Sequence, residues 1–511
     1  MEKAYDLVSW DTVISVLAHM NFPSKWIRWV KECIGTTSMA FIINEKCGKW
    51  VTPQAGLRQG YPLSPYLFIL VSQILTNILN KAESMQLLKG FRISDSLGIN
   101  HILYADDLLI CCRASRQNAR SIITCMSMYK IITGQRFNMA KSDIYFPSWF
   151  NVRVKKAITD ILALNQGVFP FKYLGCWISP FKIPVIYFKQ LVTKVENKLA
   201  YWKTMYLTMA GRVTLANATL MSIPNYCLST YAIPDSILDA ITKLVRKFIW
   251  ANNSDGHGLH LIGWEVVTNP KSEGGLGIKN LKVMKKAILS KHVLELLNDG
   301  EKTWIKLMKS KYGPSKPWLT TPIRKVSWTY RGLLQTARSI KSNVIQSNII
   351  NSNSVLQDPW LFDIPLNLMP TYFNIDYDMS NLSIENLRTN SQWNWDYVNI
   401  MFHPYMVDLI FEKQVDEDHN KVKWKWKNKT EGKSLTAAVY DEYRFKDLAI
   451  PWNGWKKIWK LRVIPKIKLF LWKFFHGRLP TIHYLSSIGI GLTDLCPLCK
   501  LFPETANHLF F

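Results

Sequence analysis

Apolar residues from Asp11 to Cys33 recur at helical spacing, and Ser38 to Val51 then alternates like a hairpin around Asn44 to Gly48. Pro53 to Pro65 is a Gly/Pro-punctuated loop that leads into a helical run from Tyr66 to about Lys81. His101 to Cys112 reads as two short apolar strands around a tight acidic turn, and Gln117 to Thr133 as an amphipathic helix. Strands alternating with helices predict an α+β or α/β core here. Helical periodicity dominates from Val152 to about Leu297, interrupted by loops at Pro180 to Pro184 and Ser272 to Gly277. Residues 298–420 are rich in Asn, Ser and Pro and show few regular elements. Lys421 to Lys427 alternates strictly, which predicts a strand with one cationic and one apolar face, and a helical stretch follows from Leu435. The chain therefore divides into residues 1–145, 146–297, 298–420 and 421–511.

Composition narrows the class. With 511 residues, 48% hydrophobic and 20% charged, the chain is neither mainly disordered nor collagen-like. Its 64 Lys and Arg against 37 Asp and Glu leave a formal charge of +27, which favours a polyanionic partner, nucleic acid or an anionic membrane surface. Nine irregularly spaced cysteines do not form a disulfide framework and suit a reducing compartment. The N-terminus has no apolar signal region, and the run from Tyr66 to Leu79 is too short and too polar to span a bilayer. A soluble intracellular protein is expected.

The sharpest chemical signal is Tyr104-Ala105-Asp106-Asp107. Adjacent carboxylates at a turn repel unless something positive neutralises them. Divalent metal ions are one answer, and a solvated Asp-Asp turn is the other. Gly56-Leu57-Arg58-Gln59-Gly60-Tyr61-Pro62-Leu63-Ser64-Pro65 offers glycines that permit close backbone approach to a base pair, with donors for phosphate, sugar or base. Lys3-Ala4-Tyr5-Asp6 lies upstream; Thr133-Gly134-Gln135-Arg136-Phe137-Asn138-Met139-Ala140-Lys141-Ser142 and Tyr173-Leu174-Gly175 lie downstream. At the other end, Cys496-Pro497-Leu498-Cys499 followed by His508 supplies three zinc-type ligands, short of the fourth that a structural site needs; packed thiols are the competing reading.

This ordered set resembles the palm of reverse transcriptases, specifically the LINE-type (non-LTR) retrotransposon polymerases of plants. The resemblance implies an α+β right-hand polymerase palm without its fingers over 1–145 and a helical thumb and connector over 146–297. It implies an irregular connector over 298–420 and a zinc-binding domain at the C-terminus. The activity it implies is RNA-directed DNA polymerisation by two-metal nucleotidyl transfer. RNA template, DNA primer and deoxynucleoside triphosphates are then the partners, Mg2+ the cofactor, no membrane is involved, and the location is nuclear. By the same resemblance Asp106 and Asp107 are catalytic magnesium ligands and Tyr5 is the aromatic sugar gate. Arg58 and Gln59 contact nucleotide and template, and Lys141 stands near the triphosphate. Asp6 reads instead as a helix N-cap.

One departure counts against activity. The family's first catalytic aspartate falls three residues before the lysine matched by Lys3, a position that precedes Met1, so a poorly active polymerase or a catalytically silent nucleic-acid-binding remnant is expected. Glu2 falls on the wrong strand face to substitute. The C-terminal segment, from near Trp455, resembles the zinc-binding domain of the same polymerases, and that pattern continues past Phe511, so Cys496, Cys499 and His508 form an incomplete Zn2+ site. Gly211-Arg212-Val213, Ser222-Ile223-Pro224, Phe248-Ile249-Trp250 and Gly274-Gly275-Leu276-Gly277 carry the likeness through the middle, the last as a backbone turn rather than a phosphate loop. Lys194, Lys198, Lys203 and Arg212 are expected to grip duplex phosphates. Lys456, Lys457, Lys460, Arg462, Lys466 and Lys468 beside Trp455, Trp459 and Trp472 either hold nucleic acid by phosphate and stacking or form a solvated face over a tryptophan core.

Overall fold

The computed structural model describes residues 1–511 except 2, 95–96, 203–206, 252–257, 299, 314–325, 347–353, 359, 363–364, 370–380, 391, 414, 416–423, 431, 445–451, 491–492 and 511. Glu2, Lys203 and the first three residues of the Lys421 to Lys427 alternation thus lie outside the described residues. The chain forms two compact units, Met1–Pro180 and Phe181–Phe511.

In the first unit, α1 (Trp10–His19) begins at Ser9, whose side chain accepts from the amide of Thr12, and α2 (Ser24–Gly35) follows. β1 (Ile42–Ile43) and β2 (Lys46–Cys47) form the expected hairpin, with Asn44 and Glu45 both at positive φ. α3 (Ser64–Ser84) buries Leu67, Phe68, Val71, Leu75 and Leu79 at helical spacing and forms the spine of the unit. β3 (Phe91–Ser94) pairs with β4 (Leu97–Ile99), and β5 (His101–Tyr104) with β6 (Asp107–Ile110), both antiparallel. α4 (Arg116–Thr133) is capped by Ser115 at its start and by left-handed Gly134 at its end.

The apolar face of the β5–β6 hairpin, Leu103 opposite Leu108, packs with Leu75, Leu79, Cys125 and Tyr129 of α3 and α4, while Ile102 and Tyr104 stand exposed. Beyond it, β7 (Asp143–Ile144) pairs in parallel with β8 (Asn165–Gln166) across α5 (Val152–Leu162). β9 (Phe171–Tyr173) and β10 (Cys176–Ile178) form a hairpin turned at Leu174 and Gly175, both at positive φ. Residues 165–178 are therefore strand and turn where helical periodicity was expected. The runs between turns are only two or three residues, too short for periodicity to separate strand from helix.

The second unit is mainly helical: α6 (Val185–Tyr201), α7 (Met209–Ala218), α8 (Asn225–Leu228), α9 (Asp235–Trp250), α10 (Trp264–Thr268), α11 (Leu281–Leu297), α12 (Thr303–Tyr312) and α13 (Trp328–Ile340). One of its cores joins α11, α13 and α16 (Leu435–Tyr443) to an antiparallel pair, β11 (Val344–Gln346) with β14 (Trp424–Trp426). Trp424 and Trp426 point into that core and Lys425 points out, as the alternation predicts. The stretch expected to be irregular holds more order than its composition suggests. The β12 (Arg388–Thr389) and β13 (Gln392–Trp393) hairpin, α14 (Trp395–Met401) and α15 (Pro404–Phe411) surround a separate core of Val355, Trp360, Ile384, Val398, Met406 and Ile410. α17 (Gly454–Lys460), α18 (Pro465–Phe475), α19 (Ile482–Ser487) and α20 (Ala506–Phe510) complete the chain. The architecture is mixed α+β, built among the described residues from two-stranded sheets and many helices. No described helix is long and apolar enough to cross a membrane.

Candidate functional site

Tyr104 and Asp107 pair across the β5–β6 turn, leaving Ala105 and Asp106 at its tip. Ala105 takes φ +50°, a left-handed conformation that costs a residue with a Cβ about 1–2 kcal/mol. Both aspartates are exposed, and neither carboxylate has a hydrogen-bond or ion-pair partner among the described residues.

The segment that precedes α1 is anchored on three sides. Met1 lies at the turn, its amino group donating to the carbonyl of Asp106 at 2.7 Å. The amide of Leu57 donates to Tyr5 (2.7 Å), that of Gly56 to Val8 (2.8 Å), and the Trp10 indole to the Gly56 carbonyl (2.7 Å). From the end of α4, Gln135 donates through Nε2 to the carbonyl of Ala4 at 2.7 Å and accepts from the Tyr129 hydroxyl, while the amide of Ser9 donates to Thr133 at 3.0 Å. Burial pushes the Tyr129 phenol up to about 12, so it stays a donor.

Two glycines explain how closely these segments meet. A Cβ on Gly56 (φ +96°) would fall 2.7 Å from the Asp6 carbonyl oxygen, and one on Gly134 (φ +76°) 2.8 Å from that of Leu7. The expectation that Gly56 opens the loop to a base pair is therefore corrected: it opens the loop to the protein's own backbone. Gly60 (φ +79°) has nothing within 4 Å and leaves the loop tip open.

The structure thus ties Tyr5 and Asp6 to the loop at Leu57 and Gln59 by hydrogen bonds, while the Asp106 turn is touched by Met1 alone of these hydrogen bonds. The Tyr5 ring stacks on Phe68 with centroids 4.8 Å apart. Gln59 donates to Asp6 Oδ1 at 3.4 Å, and Arg58 is exposed beside Tyr61. Asp6 is not the expected helix N-cap; Ser9 holds that position because the chain first makes a turn from Lys3 to Leu7. Lys141 stands apart, exposed at the end of a 3-10 turn (Met139–Lys141) that Asn138 caps by accepting from the Lys141 amide at 3.1 Å. The anchoring role of Gln135 went unread in the sequence. A polar residue directly after a helix-ending glycine is the signal that marks it.

Behind the hairpin lies a polar cluster. Buried Asn100 donates to Asn80 (3.0 Å) and Glu83 (2.6 Å), and His101 Nε2 lies 3.1 Å from Thr76 Oγ1. Burial lowers the His101 pKa, with Glu83 opposing, which favours the uncharged imidazole.

The C-terminal cysteines converge as their spacing predicts. Cys496, Cys499 and His508 bring their ligand atoms within 4.8 Å of one another, and Cys499 Sγ lies 3.2 Å from His508 Nε2. The amide of Lys500 donates to Cys496 (2.8 Å), that of Cys496 to Phe502 (2.8 Å), and Lys500 takes φ +59° to close the loop. Amides of Leu501 and Phe502, and then the His508 contact, lower the Cys499 thiol to about 7. Two thiols on one tight loop and an imidazole from α20 suit zinc, with a fourth ligand left to water or another group. Among the described residues this is the one group of three His, Cys, Asp or Glu side chains so disposed; no third carboxylate joins Asp106 and Asp107.

The basic residues divide differently from expectation. Lys194 and Lys198 are exposed on α6, but Arg212 is buried and donates to the carbonyls of Phe248 and Ala251 at the end of α9. It caps a helix and is not a phosphate contact. Trp455 and Trp472 are likewise core residues. The Trp472 indole and His476 both approach the Gly274 carbonyl at 2.7 Å, and a Cβ on Gly274 would sit 3.0 Å from the Trp455 ring. The glycine turn is thus the seat of α17 and α18, as a backbone turn should be, and Arg444 clamps its edge through a bidentate pair with Glu273.

Residues 1–178 match the family described as reverse transcriptase (RNA-dependent DNA polymerase), and residues 435–511 the family described as zinc-binding in reverse transcriptase. A putative ribonuclease H protein of Arabidopsis thaliana is 25% identical over 343 residues, 63% of this chain and 53% of that protein. An uncharacterized mitochondrial protein of Arabidopsis thaliana is 50% identical over 70 residues, 14% of this chain and 57% of its own length. The transposon TX1 uncharacterized 149 kDa protein of Xenopus laevis is 25% identical over 281 residues, 54% of this chain and 20% of that protein. The chain spans about half the length of the first two relatives and a fifth of the third. These matches relate the chain, distantly, to the reverse transcriptases of non-LTR retrotransposon type and to their zinc-binding region.

Proposed function

We propose that the chain is the polymerase and zinc-binding part of a LINE-type plant retrotransposon protein, acting as an RNA-directed DNA polymerase on an RNA template and a DNA primer in the nucleus. The observation that carries this reading is the hairpin turn that presents Asp106 and Asp107 side by side and exposed, with the Tyr5 segment tied to the Gly56–Gln59 loop by hydrogen bonds in the same unit. Two adjacent exposed carboxylates with no cationic partner among the described residues are a hard-oxygen donor pair suited to Mg2+. Magnesium held by Asp106 and Asp107 would supply activation of the 3′-hydroxyl and stabilisation of the leaving pyrophosphate.

The remaining work falls to the chain's own residues. Tyr5, backed by Phe68, presents a rigid ring that rejects a sugar bearing a 2′-hydroxyl by contact. Arg58 and Gln59, held by the Leu57 anchor, donate to the incoming nucleotide and template. Lys141 offers its ammonium to the departing pyrophosphate. Cys496, Cys499 and His508 hold Zn2+ in a structural role.

A catalytically silent nucleic-acid-binding chain is the second reading. It is favoured by the absence of a third carboxylate beside Asp106 and Asp107 among the described residues. Extension of an oligo-dT primer on poly-A RNA with Mg2+, lost in the Asp106→Asn/Asp107→Asn variant, supports polymerisation. Duplex binding without extension, from this chain and from a form lengthened upstream, supports the silent chain.

A further inference from the structure

From Leu448 to Thr493 the sequence contains no Asp or Glu, yet it holds Lys456, Lys457, Lys460, Arg462, Lys466, Lys468, Lys473 and Arg478. A globular surface ordinarily mixes both signs, so a one-signed stretch of this length calls for a counter-charge from outside.

The structure sorts these cations. Lys468 is spent on the Trp459 carbonyl (3.1 Å), Lys473 lies over the Trp250 ring, and Arg478 over Tyr484. Lys456, Lys457, Lys460, Arg462 and Lys466 are exposed and have no ion-pair partner among the described residues. On α17, at about 100° per residue, the three lysines fall within an arc of about 100° centred opposite Trp455 and Ile458, which are buried. Lys271, exposed with its ammonium 5.0 Å from the Trp459 ring, flanks the same helix.

We infer that the outer face of α17 and the following turn to Lys466 form a nucleic-acid docking surface that grips the phosphates of a duplex and does not read bases. Two observations fix the mode. Trp455 and Trp472 are committed to the core, and the half-buried Trp459 ring lies to the side of the lysine arc with the Lys271 ammonium over it, so the arc itself presents cations and no stacking ring. The apolar side of α17 is also consumed by the core, so the helix itself presents lysines and no inserting face to a lipid surface. Leu461, Val463 and Ile464, exposed in the turn, are the apolar groups that a membrane would use, and they make lipid the alternative that the test must separate.

The surface does not depend on the polymerase reading, and its test uses no catalysis. The probe is a labelled 25-base-pair DNA duplex titrated with the full chain at several salt concentrations. Neutralising five phosphate contacts in Lys456→Gln, Lys457→Gln, Lys460→Gln, Arg462→Gln, Lys466→Gln should reduce the slope of log affinity against log salt by about 3–4, from roughly 0.9 per contact with some shared. A charge-matched control, Lys291→Gln, Lys306→Gln, Lys311→Gln, Lys425→Gln, Lys429→Gln, should leave the slope nearly unchanged. Equal slopes for the two variants would overturn the inference, since net charge alone would then account for binding. So would unchanged duplex binding in the α17 variant combined with lost binding to phosphatidylserine-containing vesicles. Primer extension measured on the same samples reports the palm separately, so either reading can fail alone.

Discussion

Replacing Gly56 with alanine tests whether the loop bearing Arg58 and Gln59 is held by close backbone contact. At φ +96° the new Cβ incurs about 1–2 kcal/mol for a left-handed backbone. It would also stand 2.7 Å from the Asp6 carbonyl oxygen and 3.1 Å from two further backbone atoms of Asp6, so the two segments must part, at about 1–3 kcal/mol for overpacking. Gly60→Ala is the internal control, because it meets the first cost at φ +79° and has no atom within 4 Å. The difference of about 1–3 kcal/mol should appear as exchange at the Leu57 and Gly56-region amides roughly 5- to 150-fold faster in Gly56→Ala than in Gly60→Ala. Hydrogen exchange resolved to peptides covering residues 5–10 and 55–60 reads this directly. Equal protection in the two variants would refute the argument that Gly56 exists for contact with Asp6.

Gln135→Leu removes the buried donor to Ala4 and should lower the stability of the first unit by about 1–3 kcal/mol in urea denaturation; a change under about 0.5 kcal/mol would deny the anchor. Arg212→Gln should destabilise the second unit by about 1.5–3 kcal/mol through loss of its charged bonds to the α9 carbonyls, and leave the salt slope of duplex binding intact. A reduced slope with unchanged stability would return Arg212 to the phosphate-binding set. In metal-free protein, the Cys499 thiol titrates near 7, below its ordinary value, so iodoacetamide alkylation should rise with pH through that midpoint. Cys112, pushed up to about 11 by burial, should stay unreactive over the same range. Zinc should protect Cys496 and Cys499 together, and protection of one alone would contradict a shared site.

Which features could be read from sequence follows from how local their causes are. The β5–β6 hairpin was legible because Leu103 and Leu108 alternate with outward residues about a two-residue turn. The β14 strand was legible for the same reason, with Trp424 and Trp426 inward and Lys425 outward. The convergence of Cys496, Cys499 and His508 follows from a short loop whose spacing leaves few alternatives. Facts set by distant partners were not legible. Arg212 looks like any exposed cation until the end of α9 folds over it, and Gly56 resembles a substrate-facing glycine until Asp6 lies against it. The core around Trp360 and Met406 was hidden because Asn, Ser and Pro in its connections mask short helices whose apolar residues meet only in three dimensions.

Primer extension reads directly whether Asp106 and Asp107 are catalytic. A form of the chain lengthened upstream, with an aspartate three positions before Lys3, is compared with this chain and with the lengthened form carrying Asp106→Asn and Asp107→Asn, each on poly-A RNA with an oligo-dT primer and Mg2+. Extension is expected from the lengthened form and should fall by at least about 100-fold when the two aspartates are replaced, as loss of essential members of a catalytic unit does. Extension that survives the double replacement would contradict that expectation, and so would a lengthened, folded, duplex-binding chain that extends nothing.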